Sequence, residues 1–390
     1  MNRRKFSART FAAATVAALS ATTVLATLPS DVGATPSYDT SNAYGNQVAV
    51  SGRRAVLGVP SFGASTGIVY QYLLGDTWKR MSKISVSGGG PGDCLGASVA
   101  YTGNGLIVGA PGRNQGNGAV YTIIHTNGIW GQSGSLTDPS EGDQSQFGTS
   151  VAVGGGRIVI GAPGLDIPGV AFIARTVGGA LMITGTLAPS SSSTDDDFGQ
   201  SVAIQNGAIL VGAPGTNGGA GAAYLFKIVH GSWTQVRKFT ESTPAAGDHF
   251  GTTVAFTNGG VAIGAPGRTV SGQAGAGAVD AYESHTALSP VVIHASSPTA
   301  NAAFGRAISA FGAALVIGAP GTGSGAGGAV IATHAHGAWT LSTPVVGAAG
   351  EQLGWSVGIS AQVIPGPHHT HVQRIIPVAS NKQFLGILGR

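Results

Sequence analysis

The sequence predicts an all-β protein, a seven-bladed β-propeller of four-stranded antiparallel blades, and three observations carry that reading. One Gly-punctuated phrase recurs along the chain at a nearly constant spacing. Each spacing holds four short strand-like runs separated by turn residues, and helix-period apolar patterning is absent beyond residue 34.

The phrase is clearest at 198–215, FGQSVAIQNGAILVGAPG, and it starts again near 44, 95, 147, 250, 304 and 353, with successive separations of 51, 52, 51, 52, 54 and 49 residues. In the unit beginning at Phe198 the four runs are GQSVAIQ, AILVGAP, GAAYLFKIV and SWTQVRKFT, divided by Asn-Gly, Gly-Thr-Asn-Gly and His-Gly turns. The first two runs are apolar or small on both faces, as in Val202, Ile204, Ile209 and Val211, so neither face is expected to meet water. The fourth run alternates: Trp233, Val236 and Phe239 share it with Thr234, Gln235, Arg237 and Lys238, as an outer, half-wet strand requires. A sheet buried at one edge and wet at the other is a blade packed between two neighbours around an axis. Pro214 lacks the amide that would continue a ladder, so the phrase ends an inner strand and turns it.

The pairing of Phe147-Gly148 with Gly161-Ala162-Pro163, and of Phe304-Gly305 with Gly318-Ala319-Pro320, resembles the FG-GAP repeat, the blade unit of the integrin α-subunit propeller and of many exported bacterial proteins. The resemblance spans residues 44 to about 390, and Gly118-Ala119-Val120-Tyr121 and Gly221-Ala222-Ala223-Tyr224 fit the family's third strand. It implies a single propeller over residues 35–390 whose loops bind a partner. The calcium loops of the integrin repeats do not carry over, because VGGGR and QNGA, which join strands one and two here, lack carboxylates and are too short. In the seventh unit Leu353 to Val357 supplies the first strand, Arg374 to Val378 the second and Gln383 to Leu388 the third. The fourth is expected from the N-terminal segment, roughly Pro36 to Ser41, which would close the ring and remove its exposed edges.

Charged residues make up only 9% of the chain against 65 glycines. Of the net charge of +4, three units lie in residues 1–34: from Thr35 onward sixteen basic residues face fifteen acidic ones, with no basic stripe, which excludes a nucleic-acid partner. Residues 1–34 read as an export signal of the twin-arginine type, with Arg3 and Arg4 before a mildly apolar stretch, Phe11 to Leu28, and cleavage after Ala34. The expected address is extracellular or cell-surface. Val24-Leu25-Ala26 is a second cleavage candidate, an uncleaved anchor is the competing reading, and no membrane span is expected once the signal is cleaved. Cys94 is the sole cysteine, so no intramolecular disulfide exists.

Acidic residues gather before the FG step: Asp93, Asp143, Asp195, Asp196, Asp197 and Asp248. Because antiparallel strands alternate direction, the loops joining strand four to one and strand two to three share one face, and these carboxylates are the ligand-face candidates. The bland reading is that each Asp accepts backbone N–H bonds in its turn. Histidines gather on the opposite face, at His125, His230, His285 and His336, and His368, His369 and His371 form a weak metal candidate for which a wet loop is the favoured explanation. Trp78, Trp130, Trp233 and Trp339 share one place in the fourth strand and read as blade packing, whereas Trp355 replaces a Thr, Gln or Arg of other units and is expected to reach the axial channel. Gly63 to Gly67 spells a hydrolase elbow, and Gly323, Gly325 and Gly328 a dinucleotide loop, but neither precedes a helix. No cofactor is implied. The expected function is a non-enzymatic binding or adhesion module contacting an extracellular protein or glycan. An extracellular propeller enzyme, a polysaccharide lyase or hydrolase, is the alternative.

Overall fold

The computed structural model describes residues 47–75, 78–139, 144–165, 167–177, 180–365, 370–379 and 384–389. Six sheets are antiparallel blades with strands paired in chain order. In the fourth these are Ser201–Gln205, Ala208–Ala213, Ala222–Val229 and Ser232–Phe239. The sixth differs slightly, since its outermost strand comes in two pieces, Ala338–Leu341 and Val345–Val346, on the same third strand.

Burial follows the sequence pattern from axis to rim. Second strands are wholly buried, as in Ala208–Ala213, while the fourth strand alternates along Ser232–Phe239. One detail of that alternation differs from expectation. Val236 is 44% exposed, because strict two-residue alternation from Trp233 to Phe239 gives the half-buried places to Gln235 and Arg237, and the register between strands three and four shifts by one residue at Val236. The shift recurs at the equivalent step of the first three blades, which makes it part of the repeat.

The blade count requires a correction: the repeat builds six four-stranded blades, not seven. In the C-terminal sheet Thr370–Ala379 is central. Ser356–Val357 and Ser360–Pro365 lie along one edge of it and Phe384–Gly389 along the other. The first strand is broken at Gly358-Ile359, so two short pieces fill one position, and the described residues supply no fourth strand. Pro36 to Ser41, expected to provide it, lies outside the described residues. The sheet nevertheless bridges blades six and one. Val48 N–H donates to Ser356 Oγ (2.9 Å) and Gly52 N–H to Ser360 Oγ (3.1 Å), while Ile359 N–H donates to Ser309 Oγ (3.2 Å).

The hydrophobic core lies between blades. One cluster joins Val159, Ile173 and Leu187 of the third blade to Phe198, Ile209, Val211 and Tyr224 of the fourth. Phe198 meets the Tyr224 ring edge-on, with centroids 5.5 Å apart. Phe147, Phe198, Phe250 and Phe304 are all essentially inaccessible, and burial of each contributes about 2–3 kcal/mol.

Beside each such ring runs a backbone seam. Gly199, at φ +100, donates its N–H to the Gly212 carbonyl of its own blade (3.0 Å) and presents its carbonyl to the preceding blade, where Ser150 Oγ donates to it (2.7 Å). That conformation suits glycine. The next seam repeats this, with Ser201 Oγ donating to the Gly251 carbonyl (2.8 Å), and so do those at Gly148 and Gly305, served by Ser98 and Thr253. The glycine of each GAP lies under the carbonyl of the following FG, where a Cβ at Gly212 would overlap the Gly251 oxygen.

Gly212→Ala is therefore expected to destabilise the protein by about 3 kcal/mol or more. Gly131→Ala, at an outer-strand position with open space and no positive φ, should change stability by less than about 0.5 kcal/mol. Urea unfolding midpoints of the two variants check this; equal midpoints would remove the seam as the source of blade packing.

Candidate functional site

The loops between blades and the loops between second and third strands meet on one face of the disc, and backbone bonds knit them together. Gly112 N–H donates to the Asp93 carbonyl (3.2 Å), Gly215 to that of Asp196 (3.2 Å) and Gly267 to that of Asp248 (3.0 Å). Neighbouring blades are joined in the same layer, where Cys94 N–H donates to Ser65 O (2.7 Å) and His249 N–H to Gly219 O (2.8 Å). The Ser of the elbow-like spelling thus lies in a short turn with φ +61, followed by the strand Ile68–Leu74.

The carboxylates in this layer fall into two groups. Asp93, Asp196 and Asp248 are buried, and each Oδ2 accepts the N–H of the residue three places earlier: Gly90 (2.8 Å), Ser193 (2.9 Å) and Ala245 (2.8 Å). Asp93 is also paired with Arg113 at 2.6 Å. These three side chains build the turns on which the face rests. Asp195 is exposed and Asp197 half-buried, and burial pushes the Asp197 carboxyl up, with His249 opposing and Asp195 and Asp196 adding to the rise. Asp143 lies outside the described residues.

A ring that motif reading passed over emerges at the residue preceding each FG step. Cys94, Gln146, Asp197, His249, Ala303 and Gln352 all adopt left-handed backbone, with φ between +52 and +58. Each is at least partly exposed, so one fixed conformation displays a thiol, amides, a carboxylate, an imidazole and a methyl group around the face. The signal lay in the repeat register itself, as the variable letter beside an invariant pair. Burial, then the Asp93 charge, raises the Cys94 thiol pKa, which makes it a poor nucleophile.

The opposite face is less organised. His125 packs on Trp130, with ring centroids 4.8 Å apart, and His230 and His336 are exposed in their hairpins. Burial holds the His285 imidazole below its usual range, with Lys227 and Arg237 adding to the effect. His368 and His369 lie outside the described residues, and His371 belongs to the central strand of the C-terminal sheet, opposite Ile364. Among the described residues no three His, Cys, Asp or Glu side chains are placed to hold a metal ion. The fourth-strand tryptophans pack as their shared position predicts: Trp78 is buried, and Trp130 donates to Gln71 Oε1 of the preceding blade at 2.8 Å.

Beneath the loop face, in blade five, Arg268 binds two buried carboxylates, Glu241 (Nε to Oε1, 2.7 Å) and Asp280 (Nη1 to Oδ1, 2.6 Å). Asp248 is a third carboxyl in this group. One guanidinium offsets only part of the charge of three carboxylates, and like charges at short range favour the protonated form of one of them. Burial, reinforced by the hydrogen bond with Asp248 and opposed by Arg268, raises Glu241 from its ordinary 4.5 to about 8.

On the axis the first strands enclose a cavity of about 320 Å³. Its lining includes the residue that follows each FG pair: Ala97, Thr149, Gln200, Thr252, Arg306 and Trp355, all half-buried. Trp355 thus reaches the axis as its place in the repeat predicts, and the Arg306 guanidinium stacks over its ring, Cζ lying 4.8 Å from the centroid.

A family model for the FG-GAP repeat matches residues 78–123, 184–226 and 233–282, and the chain carries this repeat. Each match begins in the fourth strand of one blade and ends in the third strand of the next, so the sequence unit and the structural blade are offset by one strand. Among curated proteins, none matches this sequence. Among solved structures, a chain in "Crystal Structure of Mitotic Checkpoint Complex" is similar over 90% of both chains, with a TM-score of 0.56 and 12% identity, a likeness of fold alone.

The charge cluster makes stability depend on pH. Folded Glu241 keeps its proton to higher pH than unfolded Glu241, so between about pH 4.5 and 8 the folded state binds more protons and stability falls as pH rises. Glu241→Gln mimics the protonated group, and from pH 5 to pH 8 the native protein should lose about 3–4 kcal/mol relative to this variant. Urea unfolding at both pH values measures the difference, and parallel pH slopes would rule out Glu241 as the titrating group.

Proposed function

We propose that this FG-GAP-repeat propeller is an exported, non-enzymatic binding module that contacts a protein or glycan partner through its loop face. The observation that carries the reading is the ring before the FG steps: the backbone is repeated, the side chain is not. A scaffold that holds chemically different groups in one conformation across a broad, hydrogen-bonded layer suits recognition of an extended surface. The exposed members, with Gln115, Asp195 and Asn217 in the adjoining turns, supply donors, acceptors and negative charge.

The chemistry of the site favours binding over turnover. Asp93, Asp196 and Asp248 are committed to turns, and Glu241 and Asp280 are committed to Arg268, so the buried carboxylates do not converge on the axial cavity. The leader supports export: a basic head containing Arg3 and Arg4, a mildly apolar stretch and small residues before Thr35 suit a pathway that accepts folded cargo. No helix among the described residues is long and apolar enough to cross a membrane.

Intact mass of the protein recovered from the medium or cell surface should correspond to a chain beginning at Thr35; a retained Met1 would contradict cleavage. For the partner, surface extracts and a glycan array are probed with the native protein, with a loop-face variant (Asp195→Ala, Asn217→Gly, His249→Gly) and with an opposite-face variant (His230→Gly, His336→Gly). Glycine keeps the left-handed backbone available at four of these places. The loop-face variant should retain its melting temperature and lose capture by about tenfold or more, while the opposite-face variant captures normally. The reverse pattern, or equal capture by all three, would defeat the assignment.

A further inference from the structure

The axial cavity carries a side chain, Arg306, whose charge no described residue neutralises. Arg306 follows the FG pair of the sixth blade, the position held by Ala97, Thr149, Gln200 and Thr252 in other blades. Among the described residues no carboxylate lies within ion-pair distance of it, and no side-chain hydrogen bond from its guanidinium is formed. Its side-chain contact is the Trp355 ring, over which the guanidinium Cζ lies 4.8 Å from the centroid. By contrast, Arg113 and Arg268 are paired with carboxylates and Arg237 donates to two carbonyls, those of His285 and Ala287.

The rest of the lining matches this arrangement. No described lining residue is acidic, so nothing there repels an anion. The seam hydroxyls of Ser98, Ser150, Ser201 and Thr253 are occupied by glycine carbonyls, and Thr149 and Thr252 donate back to Gln146 and His249. Gln200 remains as a neutral donor on the same ring of positions. A guanidinium partly withdrawn from water without a counter-charge is unfavourable, and burial lowers the Arg306 pKa accordingly. A bound anion relieves that penalty.

We propose that the axial cavity is a binding site for an oxyanion, the carboxylate, sulfate or phosphate group of a small ligand, held by the N–H edge of Arg306 with its guanidinium seated on Trp355. The fork geometry of arginine suits two parallel bonds to such a group. The volume of about 320 Å³ admits a small molecule or one acidic side group of a larger one. The lining residues differ from those of the loop-face ring, to which Thr149 and Thr252 connect them, and the test is independent of any macromolecular partner.

The test is titration of the full chain with sodium malonate, sodium sulfate and sodium phosphate at constant ionic strength in chloride. Melting temperature and isothermal calorimetry are the readouts, and the variants are Arg306→Gln, Arg306→Lys and Trp355→Phe. The native protein should show saturable one-to-one binding of at least one of the three anions; which of them binds identifies the ligand class. Arg306→Gln should weaken that binding by about ten- to a hundredfold. Arg306→Lys keeps the charge and loses the fork, so its binding should be intermediate. Without added anion Arg306→Gln should melt no lower than the native protein, because an uncompensated charge is removed. Absence of saturable binding to all three anions in the native protein overturns the proposal even if a variant fails to fold, and undiminished binding in both Arg306 variants places the site elsewhere.

Discussion

The structure depends on the contact of glycine with glycine across each blade boundary. The carbonyl of an FG glycine occupies the space where the preceding GAP glycine would carry a side chain, and a hydroxyl from the preceding first strand donates to that carbonyl in four of the seams. Close backbone approach lets the adjoining apolar faces meet, and the buried Phe rings fill the remaining space. A sheet of this kind cannot shield both faces by itself, so each blade is complete only against its neighbour.

The seam also explains how so few charged residues can support an ordered surface. Loops that connect blades are held by backbone N–H and C=O groups of adjacent loops, with a buried carboxylate closing the turn at Asp93, Asp196 and Asp248 and the half-buried Glu351 accepting the Ala348 N–H before the C-terminal sheet. Since those atoms are already committed, the side chains beside them are free to vary without disturbing the frame. Rigid backbone with variable side chains is the property that a binding face needs and that a catalytic centre, with its convergent titratable groups, does not share.

Charge is handled differently in two places. In blade five a guanidinium is surrounded by carboxylates in excess, and the surplus is absorbed by a proton on Glu241. On the axis a guanidinium has no such partner among the described residues and lies over an indole. The first arrangement is complete within the protein. The second is completed from outside, and this difference separates a structural cluster from a site.

By itself the sequence determined the all-β class, the strand content of each unit, the repeat register and the packing role of the fourth-strand tryptophans, because two-residue alternation, turn residues and fifty-residue periodicity are local or periodic properties of the chain. It also placed Trp355 on the axis, since its position within the phrase is the one that faces inward. Only the tertiary structure decided the number of complete blades, because among the described residues the C-terminal sheet has its first strand in two pieces and no fourth strand. Tertiary structure likewise decided which aspartates face solvent: Asp195 and Asp196 are adjacent in sequence, yet one is exposed and the other accepts a backbone N–H beneath it. The isolation of Arg306 was legible only in three dimensions, since it depends on which carboxylates fail to come near, and distances between units are set by the closing of the ring.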